Sequence, residues 1–400
     1  MITILDDLYA GPVYRAKDKQ KSLIFRAVRT TPGLTRKQLA QSLGLRASTV
    51  SNLVHQLLRD RLLYEGKTQP GNGKGRPQVS LFVDHDRFTG IVLYFVSMDL
   101  KGVLVNSAYQ VIAEHTTTLS DRTGPEELTA AITETVRTME RHNPASSGIT
   151  GCGIAFPGYV DSTRERWVFA ARWPRLRNYS LQKIAQSTAV PIACRRSLDA
   201  ELRYLLDQTP DFRKGGTLLV HWGFGIGSAY AHDGTILRTS AGGFGEIGHT
   251  PVATSDDGAL MPCVCGRRGC LETAAALWAL LPKLTATIPG LPSSEAEFAH
   301  ALQRHALYNH PVVSQATDVF VQAMVLLYTL FVPDRIVLYG PFTNNDIVYQ
   351  RVTEGIHAGV PDMFTELLTV QRMNTGFIGD IYGASVDLFR DTFRRVLTAD

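Results

Sequence analysis

The chain has 400 residues, 44% hydrophobic and 20% charged, with 41 Lys and Arg against 37 Asp and Glu. That length supports two or three cores, and no run of 18 apolar residues reads as a membrane span. Met1–Leu8 lacks the basic start and long apolar stretch of a signal peptide, and three of the five cysteines are clustered, which favours metal binding in a reducing compartment over a disulfide framework. The expectation is a cytoplasmic protein without membrane insertion.

Charge is uneven along the chain. Residues 1–84 hold 14 Lys and Arg and 6 Asp and Glu, a net of +8 that leaves −4 for the rest. A basic head on a mildly acidic body suits a polyanionic partner, although a bias of this size also describes an ordinary solvated face. The order of elements favours the partner. Residues 1–18, with Tyr9 and Tyr14, read either as an arm or as a segment packed back on the body. Lys21–Arg29 is predicted helical, with Leu23, Ile24, Ala27 and Val28 apolar. Pro32-Gly33 breaks it. Thr35 is a good N-cap with Gln38 as its capping-box partner for a helix over Arg36–Ser42. Gly44 supplies a turn, and a second helix begins at Ala47, with Val50, Leu53, Val54 and Leu57 at helical spacing.

Helix, glycine turn, helix is the helix-turn-helix pattern. The start of its second helix offers Arg46, Ser48, Thr49, Asn52 and His55 to base edges or phosphates, with Arg36 nearby. Leu62–Glu65 and Val79–Val83 read as two short strands. The loop between them carries Lys74 and Arg76 and makes a wing suited to a narrow minor groove. Residues 1–84 are thus expected to form a winged helix-turn-helix domain that binds double-stranded operator DNA.

The body, residues 85–400, alternates strands and helices. Strands are predicted over 88–96, 103–105, 108–113 and 148–155, and a helix over 125–141, which gives an α/β class. Asp199 precedes a helical stretch, Ala200–Leu206, which it is also placed to cap. Cys152 and Cys194 lie in apolar, strand-like segments and read as core thiols. Tyr382–Leu397 is predicted to be an amphipathic helix with Val386, Leu388, Phe389 and Phe393 inward. It serves either to transmit state from body to head or simply to close a lobe.

The most specific stretch is Cys263-Val-Cys265-Gly-Arg-Arg-Gly-Cys270, with His249 fourteen residues before its first cysteine. Three thiols and one imidazole can close a tetrahedral zinc site with no open position, a structural rather than catalytic arrangement. The predicted ligands are His249, Cys263, Cys265 and Cys270.

This constellation resembles the signature of the ROK family, which contains sugar kinases and sugar-responsive repressors. The resemblance extends over nearly all of the chain from about residue 86. It takes in Pro157-Gly158, Ser197-Leu198-Asp199-Ala200-Glu201, Gly223-Phe-Gly225-Ile-Gly227, Gly242–His249 and Leu271-Glu272-Thr273. It implies an actin-like body of two lobes around a cleft, lobe 1 about 85–198 plus 385–400 and lobe 2 about 199–384. It also implies an effector site, for a sugar or sugar phosphate, at Asp199, Glu246, His249 and Glu272. Carboxylates suit sugar hydroxyls because they accept strong hydrogen bonds in pairs. Leu198 and Glu201 stand where the family has asparagines.

Kinases of the family carry Asp-x-Gly-Gly-Thr after the first strand of the body, whereas this chain reads Val96-Ser97-Met98-Asp99-Leu100-Lys101-Gly102. Met98 and Leu100 are expected to crowd an approaching phosphate, and Tyr339, Pro341 and Phe342 to stiffen the adenosine turn. The expected function is therefore a transcriptional regulator, a repressor, acting as a homodimer or homotetramer and not as an enzyme. Two alternatives stay open: a sugar kinase that retains ATP-dependent activity, and a repressor controlled by a protein partner such as a sugar-transport protein.

Overall fold

The computed structural model describes residues 15–69, 78–239, 242–252, 261–373 and 378–398. Helix α1 (Ala16–Thr30) buries Ile24, Phe25 and Val28. Helix α2 (Arg36–Leu43) starts at the capping box of Thr35 and Gln38, and ends at Gly44 in the left-handed conformation. Helix α3 (Ala47–Arg59) buries Val50, Leu53, Val54 and Leu57. Strands β1 (Leu63–Gln69) and β2 (Gln78–Val83) pair antiparallel, with a bulge between Glu65 and Thr68. Tyr64 stacks on Phe82 with ring centroids 5.5 Å apart. This is a winged helix-turn-helix head.

The body repeats one topology twice. In the first lobe, β3 (Phe88–Val96), β4 (Asp99–Asn106) and β5 (Val111–Thr118) form an antiparallel meander. Helix α4 (Pro125–His142) then crosses to β6 (Gly148–Phe156), and α5 (Gln182–Ser187) to β10 (Ile192–Arg196). Between β6 and α5 a small sheet is formed by β7 (Tyr159–Asp161), β8 (Arg166–Phe169) and β9 (Tyr179–Ser180). The large sheet runs β10-β6-β3-β4-β5, with β6 parallel to both β3 and β10.

In the second lobe, β11 (Gly216–Trp222), β12 (Ile226–His232) and β13 (Thr235–Ile236) are again antiparallel. A short hairpin, β14 (Arg238–Thr239) with β15 (Gly242–Gly243), follows, and then α7 (Leu271–Ala275), α8 (Leu277–Thr285) and α9 (Glu295–Arg304). Helix α10 (Pro311–Phe331) crosses to β16 (Arg335–Tyr339), while α11 (Asp346–Gly359) and α12 (Asp362–Thr365) lead to β17 (Thr369–Arg372). The order β13-β12-β11-β16-β17 matches that of the first lobe. Among the described residues, α10 alone is long and apolar enough to cross a membrane. It spends that hydrophobicity on the core, burying Val313, Phe320, Met324 and Tyr328.

Each large sheet ends in a helix that leaves it. Helix α6 (Ser197–Gln208) follows β10, and α13 (Ile378–Thr398) comes after β17. The two pack on each other at Gly383, where an added Cβ would collide with the backbone of Ala200. Helix α13 then lies against β6 and β3 of the first lobe. Its far end enters the head. Phe393 meets Phe25 at 5.2 Å and Phe88 at 5.9 Å between ring centroids. Lys21 donates to the Val396 carbonyl (3.3 Å) and pairs with Asp60 (3.0 Å). One continuous apolar core thus takes in the head, one face of the first lobe and α13.

Several expectations are corrected. Residues 108–110 are turn rather than strand, because Asn106 accepts from the backbone N–H groups of Ala108 and Gln110 and closes a loop there. Leu388 is half-buried, while Val386, Phe389 and Phe393 are the inward residues of α13. Leu100 is fully buried in the first-lobe core and Met98 packs against it, so neither side chain crowds the cleft.

Candidate effector cleft and metal centre

A cavity of about 740 Å³ opens between the two lobes. Its walls come from the ends of strands and the loops after them: Phe95–Ser97, Phe156–Gly158, Arg196–Leu198, Phe224–Gly227 and Tyr339–Pro341. Glu246, His249 and Glu272 line one end together. Asp199 is not among the lining residues. Its carboxylate lies behind the wall, accepting from the Arg196 guanidinium at 2.9 and 3.2 Å, with Arg238 at 3.8 Å. Arg196 also donates to Glu246 (2.8 Å) and to the carbonyls of Ser228 and Phe244, both at 2.7 Å. This buried arginine therefore pins Glu246 at the cavity and holds Asp199 away from it.

Glu272 is positioned by α7 and by β12. It accepts from the Ile226 N–H (3.0 Å) and the Trp278 indole (3.3 Å), while burial pushes its carboxyl up to about 7. Gly248 lets this segment approach: a side chain there would collide with the Ile226 carbonyl and the Glu272 stem. His249 Nε2 stands 4.0 Å from Glu246 and its ring packs edge-on against Phe169 (5.2 Å).

The other nitrogen of His249 faces away from the cavity. Nδ1 is 3.4 Å from the Cys263 sulfur, and the sulfurs of Cys265 and Cys270 are 3.7 Å apart. All four donor atoms lie within 4.8 Å of one another. Sulfurs each about 2.3 Å from a central ion in a tetrahedron stand about 3.8 Å apart, so the donor set and its spacing fit a closed four-coordinate metal centre. Gly266 and Gly269, both at positive φ, turn the loop, and Arg267 clamps it by donating to the His249 carbonyl (2.6 Å). Burial holds the imidazole neutral, down at about 4, the form a metal ligand needs. Cys152 is fully buried, and burial raises the thiol of Cys194 to about 12, as inert core thiols require.

The cavity also holds Glu295, His221 and Asp380, which sequence patterning did not single out. Glu295, in the first turn of α9, accepts from the Phe224 N–H (2.6 Å) and meets His221 Nε2 (3.0 Å). Burial opposes its ionisation, but His221, that N–H and Arg172 outweigh it and hold the carboxyl down at about 2. Glu201 on α6 and Asp380 on α13 face each other beside Tyr339. Nothing in the local sequence marks Glu295 or Asp380, because each reaches the cavity from a distant element. Arg196 carried a signal, standing directly before Ser197-Leu-Asp199.

In the head, Arg46, Ser48, Asn52 and His55 are exposed along α3 and Thr49 is half-buried beside them. Arg36 is half-buried and paired with Glu65 (2.7 Å) across the base of the wing. Lys74 and Arg76 lie outside the described residues, as do Tyr9 and Tyr14.

A winged helix-turn-helix head joined to a duplicated α/β body with a central cleft defines a class: a sugar-kinase-type body fused to a DNA-reading module. A model of the ROK family matches residues 97–384, and the chain belongs to that family. It is similar to the DNA-binding transcriptional repressor Mlc of Escherichia coli (strain K12), at 20% identity over 388 residues and 94% of each chain. A glucokinase from Halalkalibacterium halodurans is 26% identical over 260 residues, 62% of this chain and 74% of the kinase. The solved structure of a ROK family transcriptional regulator, described as a homolog of the E. coli Mlc protein, has the same fold. Its TM-score is 0.71 at 19% identity, covering 96% of this chain and 99% of that one.

Proposed function

We propose that the protein is a sugar-responsive transcriptional repressor whose effector site descends from a kinase cleft. The observation that carries this reading is helix α13. Its first turn lines the cleft through Asp380 and its last turns supply Phe393 to the core of the head. A change of lobe arrangement on effector binding therefore has a rigid route to the recognition helix.

In this reading residues 1–84 are the DNA-binding domain and the remainder the effector and assembly domain. Its lobes divide near residue 198, with α13 returning to the first. Arg46, Ser48, Thr49, Asn52 and His55 meet the major groove, Arg36 steadies the wing through Glu65, and Lys74 and Arg76 reach the minor groove. A homodimer places two heads on successive half-sites. Glu246, His249 and Glu272 read the hydroxyls of a sugar or sugar phosphate, and Asp199 acts behind them by fixing Arg196. Zinc held by His249, Cys263, Cys265 and Cys270 is structural: it fixes the loop that carries two of the sugar-reading residues. The effector acts only to the extent that it binds the two lobe arrangements differently. A cytoplasmic location follows from this role.

ATP chemistry does not belong to this reading. What supports this is the sequence: Val96-Ser97-Met98-Asp99-Leu100-Lys101-Gly102 lacks the paired glycines and threonine of the kinases, and Tyr339 and Pro341 stand at the turn where kinases are glycine-rich. The test is fluorescence anisotropy of the protein on its own upstream DNA, with and without a panel of sugars and sugar phosphates. Nanomolar, salt-dependent binding released by one sugar is the expected result. DNA binding indifferent to every sugar favours control by a protein partner such as a sugar transporter. No DNA binding, with ATP-dependent phosphorylation lost in Asp199→Asn, favours the kinase.

A further inference from the structure

Two carboxylates in the cleft each keep one oxygen without a partner, although Tyr339 hydrogen-bonds Glu201 and Ser197 hydrogen-bonds Asp380. Glu201 Oε2 and Asp380 Oδ1 are buried, line the cavity, and find no hydrogen-bond partner in the protein. Each stands in the first turns of its helix, α6 or α13, and the Gly379 backbone packs on the Glu201 stem, which brings the two together. The groups around them are Ser197 at the head of α6, Tyr339 on β16, His221 on β11 and Glu295 on α9. The lining arginines are engaged elsewhere. Arg196 holds Asp199 and Glu246, Arg372 pairs with Asp346 (2.7 Å), and Arg172 lies over the Phe224 ring at 3.6 Å.

Two buried carboxylates side by side without a cation, each with an unsatisfied oxygen, are costly and call for a counter-charge. Magnesium or calcium is a poor candidate, because each takes six or more oxygens and only these two carboxylates converge. Glu295, the third carboxylate, is already satisfied by His221 and Phe224. An ammonium group carries one charge and three donors, two of which match the open oxygens of Glu201 and Asp380.

We propose that Glu201 and Asp380 form an ammonium subsite in the cleft, so that the effector is a small polyhydroxylated molecule bearing a primary amine. The part concerning hydroxyls rests on the sugar reading given above; the ammonium subsite does not. Without ligand, burial and mutual repulsion keep the pair partly protonated, with Asp380 pushed up to about 7. Both pKa values are raised by folding, so stability falls as pH rises from about 4 through 7, and amine binding releases protons over that range.

The test is isothermal titration of the full chain at pH 8 and pH 6 with glucosamine, galactosamine and mannosamine, each beside its neutral parent hexose. Ethylammonium chloride against equal sodium chloride, followed by thermal shift, probes the subsite alone. The expected result is that one amino sugar binds at least tenfold tighter than its parent at pH 8 and loses most of that preference at pH 6. In Glu201→Gln/Asp380→Asn the preference disappears. That variant removes buried charge, and it should fold and melt higher than the wild type at pH 8 but not at pH 5. Neutral hexoses that bind as well as the amines overturn the subsite and leave the sugar reading intact. Stabilisation by ethylammonium, absent in the double variant, with no sugar binding, supports the subsite and overturns the sugar reading. A preference that survives in the double variant, or no response to any amine, refutes the proposal.

Discussion

Arg196 is the residue on which the cleft depends most. It is 3% exposed, and its guanidinium is shared by two carboxylates and two carbonyls. Breaking a buried ion pair by removing one partner costs about 3–5 kcal/mol, because the other charge stays buried. Arg196→Met should lower the unfolding free energy by about that much at pH 7, measured by urea denaturation. Part of the loss should return at acid pH, because burial already raises the Glu246 carboxyl and the variant removes the cation that opposes this. The metal centre is the other residue-scale dependency. Cys265→Ser removes one of four ligands while leaving the half-buried surface unchanged. It should abolish stoichiometric zinc, assayed by elemental analysis, and lower the melting temperature by several degrees. Wild-type protein treated with a strong chelator should melt where this variant does. On the DNA side, Asn52→Ala should weaken operator binding by about 1–3 kcal/mol and relax selectivity at one base pair.

At the scale of elements, local chemistry decided what was legible in the sequence. The capping box at Thr35, the left-handed Gly44 and the 3.6-residue spacing of Val50, Leu53, Val54 and Leu57 each act within a turn or two, and all are found in place. Strand β3 was legible over its whole span because both its faces are buried, leaving a continuous apolar run. The cluster of His249 with three cysteines was legible because the three thiols are concentrated in one loop. Two things were not. The role of Asp199 depends on Arg196, whose direction is fixed by carbonyls on β12 and in the loop after β15, remote in sequence. The meeting of Glu201 with Asp380 depends on α6 and α13 crossing at Gly383. That crossing gives a prediction of its own. Gly383→Ala forces the helices apart, so effector release of DNA should be lost while zinc content stays at one per chain. Anisotropy with saturating effector distinguishes this from simple unfolding, because DNA binding without effector should persist.

At the scale of the whole molecule, net charge is close to balanced but its distribution is not. Residues 1–84 carry +8 and the remainder −4, so in the repressor reading the head is the part that attracts DNA. Operator affinity should therefore fall steeply with salt, with a slope near −0.9 for each phosphate neutralised. Arg46→Ala should reduce the magnitude of that slope by about one if it meets a phosphate. It should leave the slope nearly unchanged and alter base preference if it meets a base edge. The duplicated lobes were not legible from periodicity. Two sheets of the same strand order share almost no local pattern, and only the resemblance to the family implied them.

The packing of α13 into the head also governs the order in which the molecule is made. Lys21 and the Val396 carbonyl it binds are 375 residues apart, and Phe25 waits for Phe393. The head leaves the ribosome first, yet one wall of its core is synthesised last. A nascent or truncated chain that lacks α13 exposes Phe25 and Phe88, and its DNA-reading surface rests on an unfinished core. Synthesis of α13 is thus a condition for a fully packed head core.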